Sequence, residues 1–522
     1  MAKRFNTTGS CNPERHYMVN IDDKLKQIEA LIDEGLYFTI NRARQFGKTT
    51  TMKFLYNRLK SEYLMIQISF EGVGESLYAN ESSFCNTFKK MVARDMELSS
   101  KEDSLRWSAI PTPASLDGLS LMISKFCSEL DKPVVVLIDE VDKSTDNQLF
   151  LNFLGMLRNK YLDRDKNGMD STFYSVILAG VYDVKNLKLK IRNDEERKYN
   201  SPWNIAVRFN VDMTLSAEGI KGMLDEYESD YHTGMDTKLI ADEIRRLTSG
   251  YPVLVSYICS LIHEEFEGDW TIEGVKKAVK WMVVNNSTLM DDLSKNIENH
   301  SELKKMLKDI LLNDKEYLFE PDVPAIRLAN MFSFIKNDET GHVAIHNLIF
   351  EQKLYNYFMA EQQLQEDTNL STNRSIFVSG GKLNMPLVIE RFKDLLEAEN
   401  RSCDEEFLEK QGRLLFLCFL KPIINGSGFY YVEPQTRNDG RMDIVVTYGG
   451  EEFIIELKIW RGMKYETKGE DQVSEYANVR GLKKAYLITF SFLKEKVVQI
   501  EPEWKRVNGV DVYEGIIWAK RK

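Results

Sequence analysis

Three groups of residues have the types and spacing that chemistry on phosphates requires. The first is the run Asn41-Arg-Ala-Arg-Gln-Phe-Gly-Lys-Thr49. A glycine at 47 lets the backbone turn so that several N–H groups face one anion. A helix beginning there adds its dipole to that attraction. Lys48 then reaches the β- and γ-phosphates of a nucleotide, the Thr49 hydroxyl is placed for Mg²⁺, and Thr50 continues the helix start. The alternative is a Gly-Lys helix start with no ligand.

The second group is Val134-Val-Val-Leu-Ile138 followed by Asp139-Glu140. An apolar run of this kind reads as a buried strand, and an acid at its carboxyl end sits where Mg²⁺ on a phosphate is held. Glu140 is then placed to polarise an attacking water. A strand that merely ends in polar residues is the competing reading.

The third group lies at 433–476: Glu433, Gly440-Arg441-Met442-Asp443, Glu456-Leu457-Lys458 and Gln472. Gly449-Gly450 between two β-rich runs predicts a two-residue hairpin turn, with strands over 442–448 and 451–459. Tyr448 then faces Glu451, and counting back sets Asp443 opposite Glu456. Alternation puts Asp443, Val445, Thr447, Glu452, Ile454, Glu456 and Lys458 on one face. Ile444, Val446, Ile455, Leu457 and Ile459 share the other, which reads as core. Two carboxylates so placed have Cβ atoms about 5 Å apart and repel unless a cation joins them. Acid, acid and lysine around Mg²⁺ are equipment for phosphodiester hydrolysis, with Lys458 positioning the water or offsetting developing charge. Arg441 falls opposite Lys458, which suits an anion-facing surface. An edge hairpin with surface acids in salt bridges is the alternative.

The elements that must position these residues follow a clear rhythm. Up to about residue 210, strand-like runs at 37–40, 65–70, 134–138 and 175–180 alternate with amphipathic stretches, which predicts a parallel sheet covered by helices. The pattern then becomes helical to about 312, with Ser216 as an N-cap for 218–227 and a helix over 236–248. A small module at 314–358 contains a hairpin turned at Asn337 to Gly341. Residues 361–375 read as a linker, and helices over 386–400 and 404–421 precede the last strands.

Composition agrees with this organisation. The chain has 522 residues, 43% hydrophobic and 29% charged, which excludes disordered and collagen-like classes. Six scattered cysteines with no CxxC pair argue for reduced thiols rather than a disulfide scaffold or a zinc site. No apolar run approaches the roughly 18 residues of a membrane helix, and MAKRFNTTGS lacks a secretory signal's apolar core. A soluble, cytoplasmic protein is expected. The net charge of −11 falls wholly on residues 1–379, because the remainder carries 23 Lys+Arg against 23 Asp+Glu. Contact with nucleic acid is therefore local, or built by assembly.

Residues 5–358 resemble the AAA-like ATPases of the STAND/archaeal-type group, in which R-x-R-x-F-G-K-[ST] replaces the glycine-first P-loop. Arg42 stands where GxxxxGK[ST] has its first glycine. Thr248-Ser-Gly-Tyr-Pro-Val-Leu-Val255 is similar to that group's T-G-G-H-P-x-L-V helix start, with Tyr251 in place of the histidine, and the hairpin near 331–350 is similar to its winged helix. The resemblance implies that Arg42 and Arg44 contact phosphates, that Pro252 faces the nucleotide, and that Ala179-Gly180 holds a sensor position. It also offers Arg208 as a contact to a neighbouring subunit's nucleotide. Residues 380–522 resemble the PD-(D/E)xK nuclease superfamily at Asp443 and Glu456-x-Lys458. Gln472, with Tyr476 four later, resembles the glutamine of several branches, and Glu409 (or Glu406) on the preceding helix would complete the metal site. The fusion resembles a bacterial architecture.

The expectation is an α/β chain: an ATPase core at 1–215, a helical lid at 216–312, a winged-helix-like module at 313–360, a linker at 361–379 and a restriction-endonuclease-like domain at 380–522. ATP and Mg²⁺ (or Mn²⁺ at the nuclease site) are the expected cofactors. The expected function is an ATP-hydrolysing module that controls a metal-dependent DNA or RNA endonuclease, DNA being favoured, with homo-oligomers allowed. The alternative is a nucleotide-dependent sensor or scaffold whose C-terminal domain binds nucleic acid without cutting it. His342 with His346, Lys483-Lys484, Lys520 to Lys522 and an adenine contact by His16 or Tyr17 are weaker signals.

Overall fold

The structure, a computed structural model, describes residues 3–144, 147–167, 171–181, 203, 205–207, 209–285, 287–312, 315–365, 374–398, 402–403, 409–424, 428–432, 444–460, 463–491, 502–518 and 520–521. The chain forms two compact units, residues 1–279 with 327–335, and residues 280–326 with 336–522. No helix among the described residues is long and apolar enough to cross a membrane.

The first unit is built on a four-stranded parallel sheet. Strand β1 (Phe38–Asn41) leads through a loop into helix α1 (Lys48–Leu59), which returns the chain to β2 (Leu64–Ser69). Strands β3 (Val134–Asp139) and β4 (Ser175–Gly180) follow, and the sheet order is β1-β4-β3-β2. A parallel bridge from Phe38 to Val207 extends the sheet beyond β1. Every residue of β3 and β4 is buried, as strands covered on both faces must be. Interleaved aromatics including Phe70, Phe84, Phe88, Phe150 and Phe153 pack the helices over 81–99 and 148–167 against one side.

The helical part starts where side chains cap it. Ser216 accepts from the Gly219 N–H, and Asp236 from the Leu239 N–H, so Asp236 caps the helix Thr237–Thr248 rather than joining it. The helix expected over 218–227 runs on to Tyr231, whose ring stacks on Tyr227 at 4.6 Å, and stops at His232 in a left-handed conformation. Helix α2 (Pro252–Glu264) begins with proline, whose missing N–H costs a first turn nothing.

In the second unit, short strands Ile335–Asn337 and Val343–Ile345 flank the expected turn. Asp338 Oδ1 holds that turn by accepting from the N–H groups of Thr340 and His342. Farther along come helices α3 (Met385–Ala398) and α4 (Glu409–Ile424), then β5 (Gly428–Val432), β6 (Ile444–Tyr448) and β7 (Glu451–Ile459). Helix α5 (Met463–Val479) crosses to β8 (Lys484–Ser491), and β9 (Glu503–Val507) and β10 (Val510–Trp518) complete a six-stranded sheet of order β5-β6-β7-β8-β10-β9. Strands β7, β8 and β10 are mutually parallel, while both edges are antiparallel.

The hairpin register is the expected one: Tyr448 pairs with Glu451 and Ile444 with Ile455. Gly449 and Gly450 both take positive φ there, and a Cβ on Gly449 would meet the Gly381 carbonyl at 2.4 Å. Only glycine fits that approach. One expectation needs correction. The face that carries Glu456 is as deeply covered as its opposite, since Val445 and Ile454 pack with Val473 and Ala477 of α5 and with Leu487 and Val512. A parallel partner on β7 brought a crossover helix over that face.

Candidate functional site

The nucleotide-type site is set by the bend between β1 and α1. Gln45 and Gly47 both have positive φ, at 59° and 82°. Two left-handed residues so close turn successive N–H groups inward, a concavity suited to an anion. No side chain caps the helix that opens at Lys48, so its first N–H groups point at whatever the loop receives. Lys48 is 7% exposed and folds back, donating to the carbonyls of Arg42 (2.8 Å) and Ala43 (3.0 Å). Burial pulls its pKa down, against the opposing pull of Asp142, Glu140 and Asp139.

Strand β4 separates β3 from β1, yet the start of α1 reaches the end of β3: Thr49 Oγ1 donates to Asp139 Oδ2 at 2.9 Å across 90 residues of sequence. Asp139 is 5% exposed, and burial pushes its carboxyl pKa up, against hydrogen bonds from Thr49 and the Glu140 N–H. Glu140 is raised as well, by burial and then by the Asp139 charge. It also holds a positive φ of 53°. A non-glycine residue held in that region is a mark of local strain, which gathers at functional sites. A hydroxyl and a carboxylate at hydrogen-bond distance on an anion-receiving loop fit a hydrated Mg²⁺ on phosphates.

The remaining expected residues divide. Thr50 Oγ1 accepts from the Cys11 N–H, tying the N-terminal segment to α1. The Arg42 guanidinium donates to the carbonyls of Asn41 and Val211, both at 2.8 Å, and lies 5.3 Å from the Phe209 ring centroid, so it frames the loop. Arg44 is exposed. Pro252 opens α2, next to Tyr251. Tyr17 belongs to an aromatic cluster with Phe5 and Tyr227 and donates to Asp230, so it is a packing residue. His16 accepts from the Asn12 N–H within its own segment. His342 lies near Thr340 Oγ1 and buried His346 near Asn347, which gives the pair separate surroundings. Arg208 lies outside the described residues.

Sequence reasoning missed Asp142. Its Oδ2 accepts from the Val181 N–H at 2.6 Å, and a Cβ on Gly180 would fall 2.7 Å from its Oδ1. The sensor-like position at the end of β4 is thus served by an acid from β3's exit. The signal was the third acid of Asp139-Glu140-Val141-Asp142.

The C-terminal site is described in part. Glu456 is 1% exposed on β7, and Lys458 Nζ lies 3.3 Å from its Oε1. Lys458 also donates to Gln472 Oε1 at 3.0 Å. Gln472 sits midway along α5, which begins at Met463. Gly469, one turn earlier, leaves room for the lysine: a Cβ there would lie 2.9 Å from Lys458 Nζ. Glu433, Arg441, Asp443 and Glu406 lie outside the described residues, as does the side chain of Glu409, which opens α4. Among the described residues no three His, Cys, Asp or Glu side chains gather to hold a metal. The same covered face holds a second charged group that sequence reasoning missed. Glu514, 3% exposed, accepts from Thr489 Oγ1 at 3.2 Å and Lys505 Nζ at 2.7 Å, and Lys505 also reaches Glu470 at 2.9 Å.

A family model described as an AAA-like domain matches residues 9–359. Among solved structures the chain is similar to the Walker-type ATPase of Pyrococcus abyssi, with 14% identity over 67% of this chain and 99% of that one and a TM-score of 0.46. It is also similar to the ORC2 protein of Aeropyrum pernix in ADPNP–ADP complexes, at 12% identity over 69% and 97% of the two chains and a TM-score of 0.38. Cdc6p from Pyrobaculum aerophilum is 15% identical over 68% and 97%, with a TM-score of 0.33. No curated protein matches the chain.

Proposed function

The chain belongs to the family of AAA-like domains through residues 9–359, and from that premise we propose an ATP-hydrolysing switch that governs a C-terminal phosphodiesterase. The observation that carries the first half is the hydrogen bond from Thr49 to Asp139, which joins the helix start to the acid-ended strand. Thr49 and Asp139 would hold Mg²⁺, which would supply positive charge to the phosphates when bound. The chain's own residues do the rest. The left-handed bend at 45–47 aims N–H groups at the phosphates, and Lys48 exchanges its loop carbonyls for phosphate oxygens. Glu140, whose pKa is raised by burial and by the Asp139 charge, accepts a proton from the attacking water. Lys48→Ala is expected to abolish nucleotide binding with the fold intact. Undiminished ATP turnover by that variant sinks the assignment.

The C-terminal half of the proposal rests on the hairpin register and on Glu456 beside Lys458. Asp443, which the sequence places opposite Glu456, lies outside the described residues; on this reading the two acids share one lysine. Partly buried Lys458, steered by Gln472, has the placement to orient a water or to offset charge on a scissile phosphate. DNA is the favoured substrate class, and the domain limits given above go with this reading. A nucleotide-dependent sensor whose C-terminal sheet only binds nucleic acid is the second reading. Cleavage assays with DNA and RNA forms, with and without Mn²⁺ and ATP, separate the two: a pure binder shows no divalent-dependent cutting.

A further inference from the structure

Two side chains hold the carbonyls of the loop between β1 and α1. Lys48 takes those of Arg42 and Ala43, while the next one, Arg44, accepts from the hydroxyl of Tyr251 at 3.0 Å, from a residue 207 positions away. Tyr251 is 0% exposed, and its ring meets Phe46 edge to face at 4.7 Å. The turn that presents it is over-determined. Gly250 takes positive φ with its amide on Thr248 Oγ1, its carbonyl accepts from the Leu215 N–H at 2.8 Å, and a Cβ there would lie 2.1 Å from the Leu215 carbonyl oxygen. The Tyr251 N–H donates to the Thr248 carbonyl, and its own carbonyl accepts from Val255, inside α2.

We infer that Tyr251 is a positioning residue of the nucleotide loop, and that it couples phosphate binding to the docking of α2; the inference rests on the ATP-site reading. A trans peptide points its C=O and its N–H in opposite directions. Pinning the Arg44 carbonyl against Tyr251 therefore turns the Gln45 N–H the other way, toward the anion-receiving concavity, and holds Gln45 in its left-handed conformation. Lys48 cannot do this alone, because serving phosphate takes it away from the carbonyls it holds. With the hydroxyl in place the loop is preformed when nucleotide arrives, and the same bond transmits loop movement to the first turn of α2.

The test is Tyr251→Phe in the full chain, which keeps the ring against Phe46 and removes one hydrogen bond. Losing a bond to a buried carbonyl is worth about 1–2 kcal/mol. ATP affinity should therefore fall about 5- to 30-fold, with kcat changed less than KM. Nucleotide-dependent protection of amides 253–257 from hydrogen exchange should also shrink, although the free protein's thermal midpoint moves little. A variant with wild-type affinity and wild-type nucleotide-dependent protection overturns the inference. So does a lowered midpoint with unchanged affinity, which would make the bond structural only. Wild-type protein that binds no ATP, or a Lys48→Ala variant that binds it normally, instead indicts the ATP-site reading.

Discussion

The nucleotide loop and the C-terminal hairpin are both tight glycine bends next to a lysine with an acidic neighbour, but they solve different problems. At the loop, charge is met at a helix start. Thr49, Asp139 and Lys48 are brought together by elements far apart in sequence, and every one of these contacts lies within described residues. At the hairpin, charge is carried on a strand covered on both faces, so Glu456 depends on Lys458 and Lys458 on Gln472. A helix N-terminus offers N–H groups to an anion at no desolvation penalty beyond its own. A buried strand must supply each counter-charge by a side chain. The first site presents donors built into its backbone, and the second is held by its own ion pair.

The largest effects should come from removing either lysine, and they should not cross over. Lys48→Ala is expected to lower nucleotide-dependent turnover by on the order of 100-fold or more. Lys458→Ala should lower divalent-dependent cleavage by a similar factor while ATP turnover stays at the wild-type rate. It should also lower the thermal midpoint, because Glu456 keeps its buried charge without the 3.3 Å cation. Lys458→Ala protein that melts like the wild type would erase the contrast drawn between the two bends.

A second tier concerns pH and the acids of the loop. Burial raises the pKa of Asp139 and, with help from Asp139, of Glu140. An acid whose folded pKa is raised destabilises the fold as it ionises, so stability falls as pH rises from the ordinary carboxylate range through the raised pKa. Function runs the other way. Turnover that needs both carboxylates charged, apart from the proton Glu140 accepts, should decline with falling pH before the ordinary carboxylate range is reached. Asp139→Asn keeps an oxygen for Thr49 and sheds the charge. It should melt higher than the wild type at neutral pH and turn over no ATP. A pH-independent difference in melting between the two proteins counts against burial as the cause.

Much of both sites was legible because periodicity and turn chemistry are local. The two-glycine bend fixed a pairing register that the structure repeats residue by residue, and the acid-ended run at 134–139 is the strand expected. What was not legible depended on distant partners. Nothing local says that Arg42 is used by the Val211 carbonyl, that Tyr251 reaches the Arg44 carbonyl, or that Glu514 finds Lys505 two strands' pairing away from Glu456. The buried polar face of β7 was misread for the same reason: alternation reports one side's chemistry, while coverage depends on where the chain goes next. The family match reaches residue 359, so the C-terminal reading stands on these local signals alone.

The smallest predicted effects sharpen the comparison most, because they set stability against activity. Gly180 and Gly469 each make room for a charged site group, but the neighbours differ. A Cβ on Gly180 meets Asp142 Oδ1 at 2.7 Å and Val141 Cγ2 at 2.8 Å, short side chains fixed at the end of β3. A Cβ on Gly469 meets the far end of Lys458, at 2.9–3.2 Å. Gly180→Ala therefore has to displace Asp142 from the Val181 N–H, and it should lower both the thermal midpoint and ATP turnover. Gly469→Ala meets a chain that can swing aside, and alanine inside a helix gains about 1 kcal/mol over glycine. That variant should melt at or above the wild-type temperature while cleavage falls a few-fold, because Lys458 is pushed from Gln472. If Gly469→Ala cuts as well as the wild type, the position of Lys458 is loose. The C-terminal bend would then be a packed ion pair rather than a site.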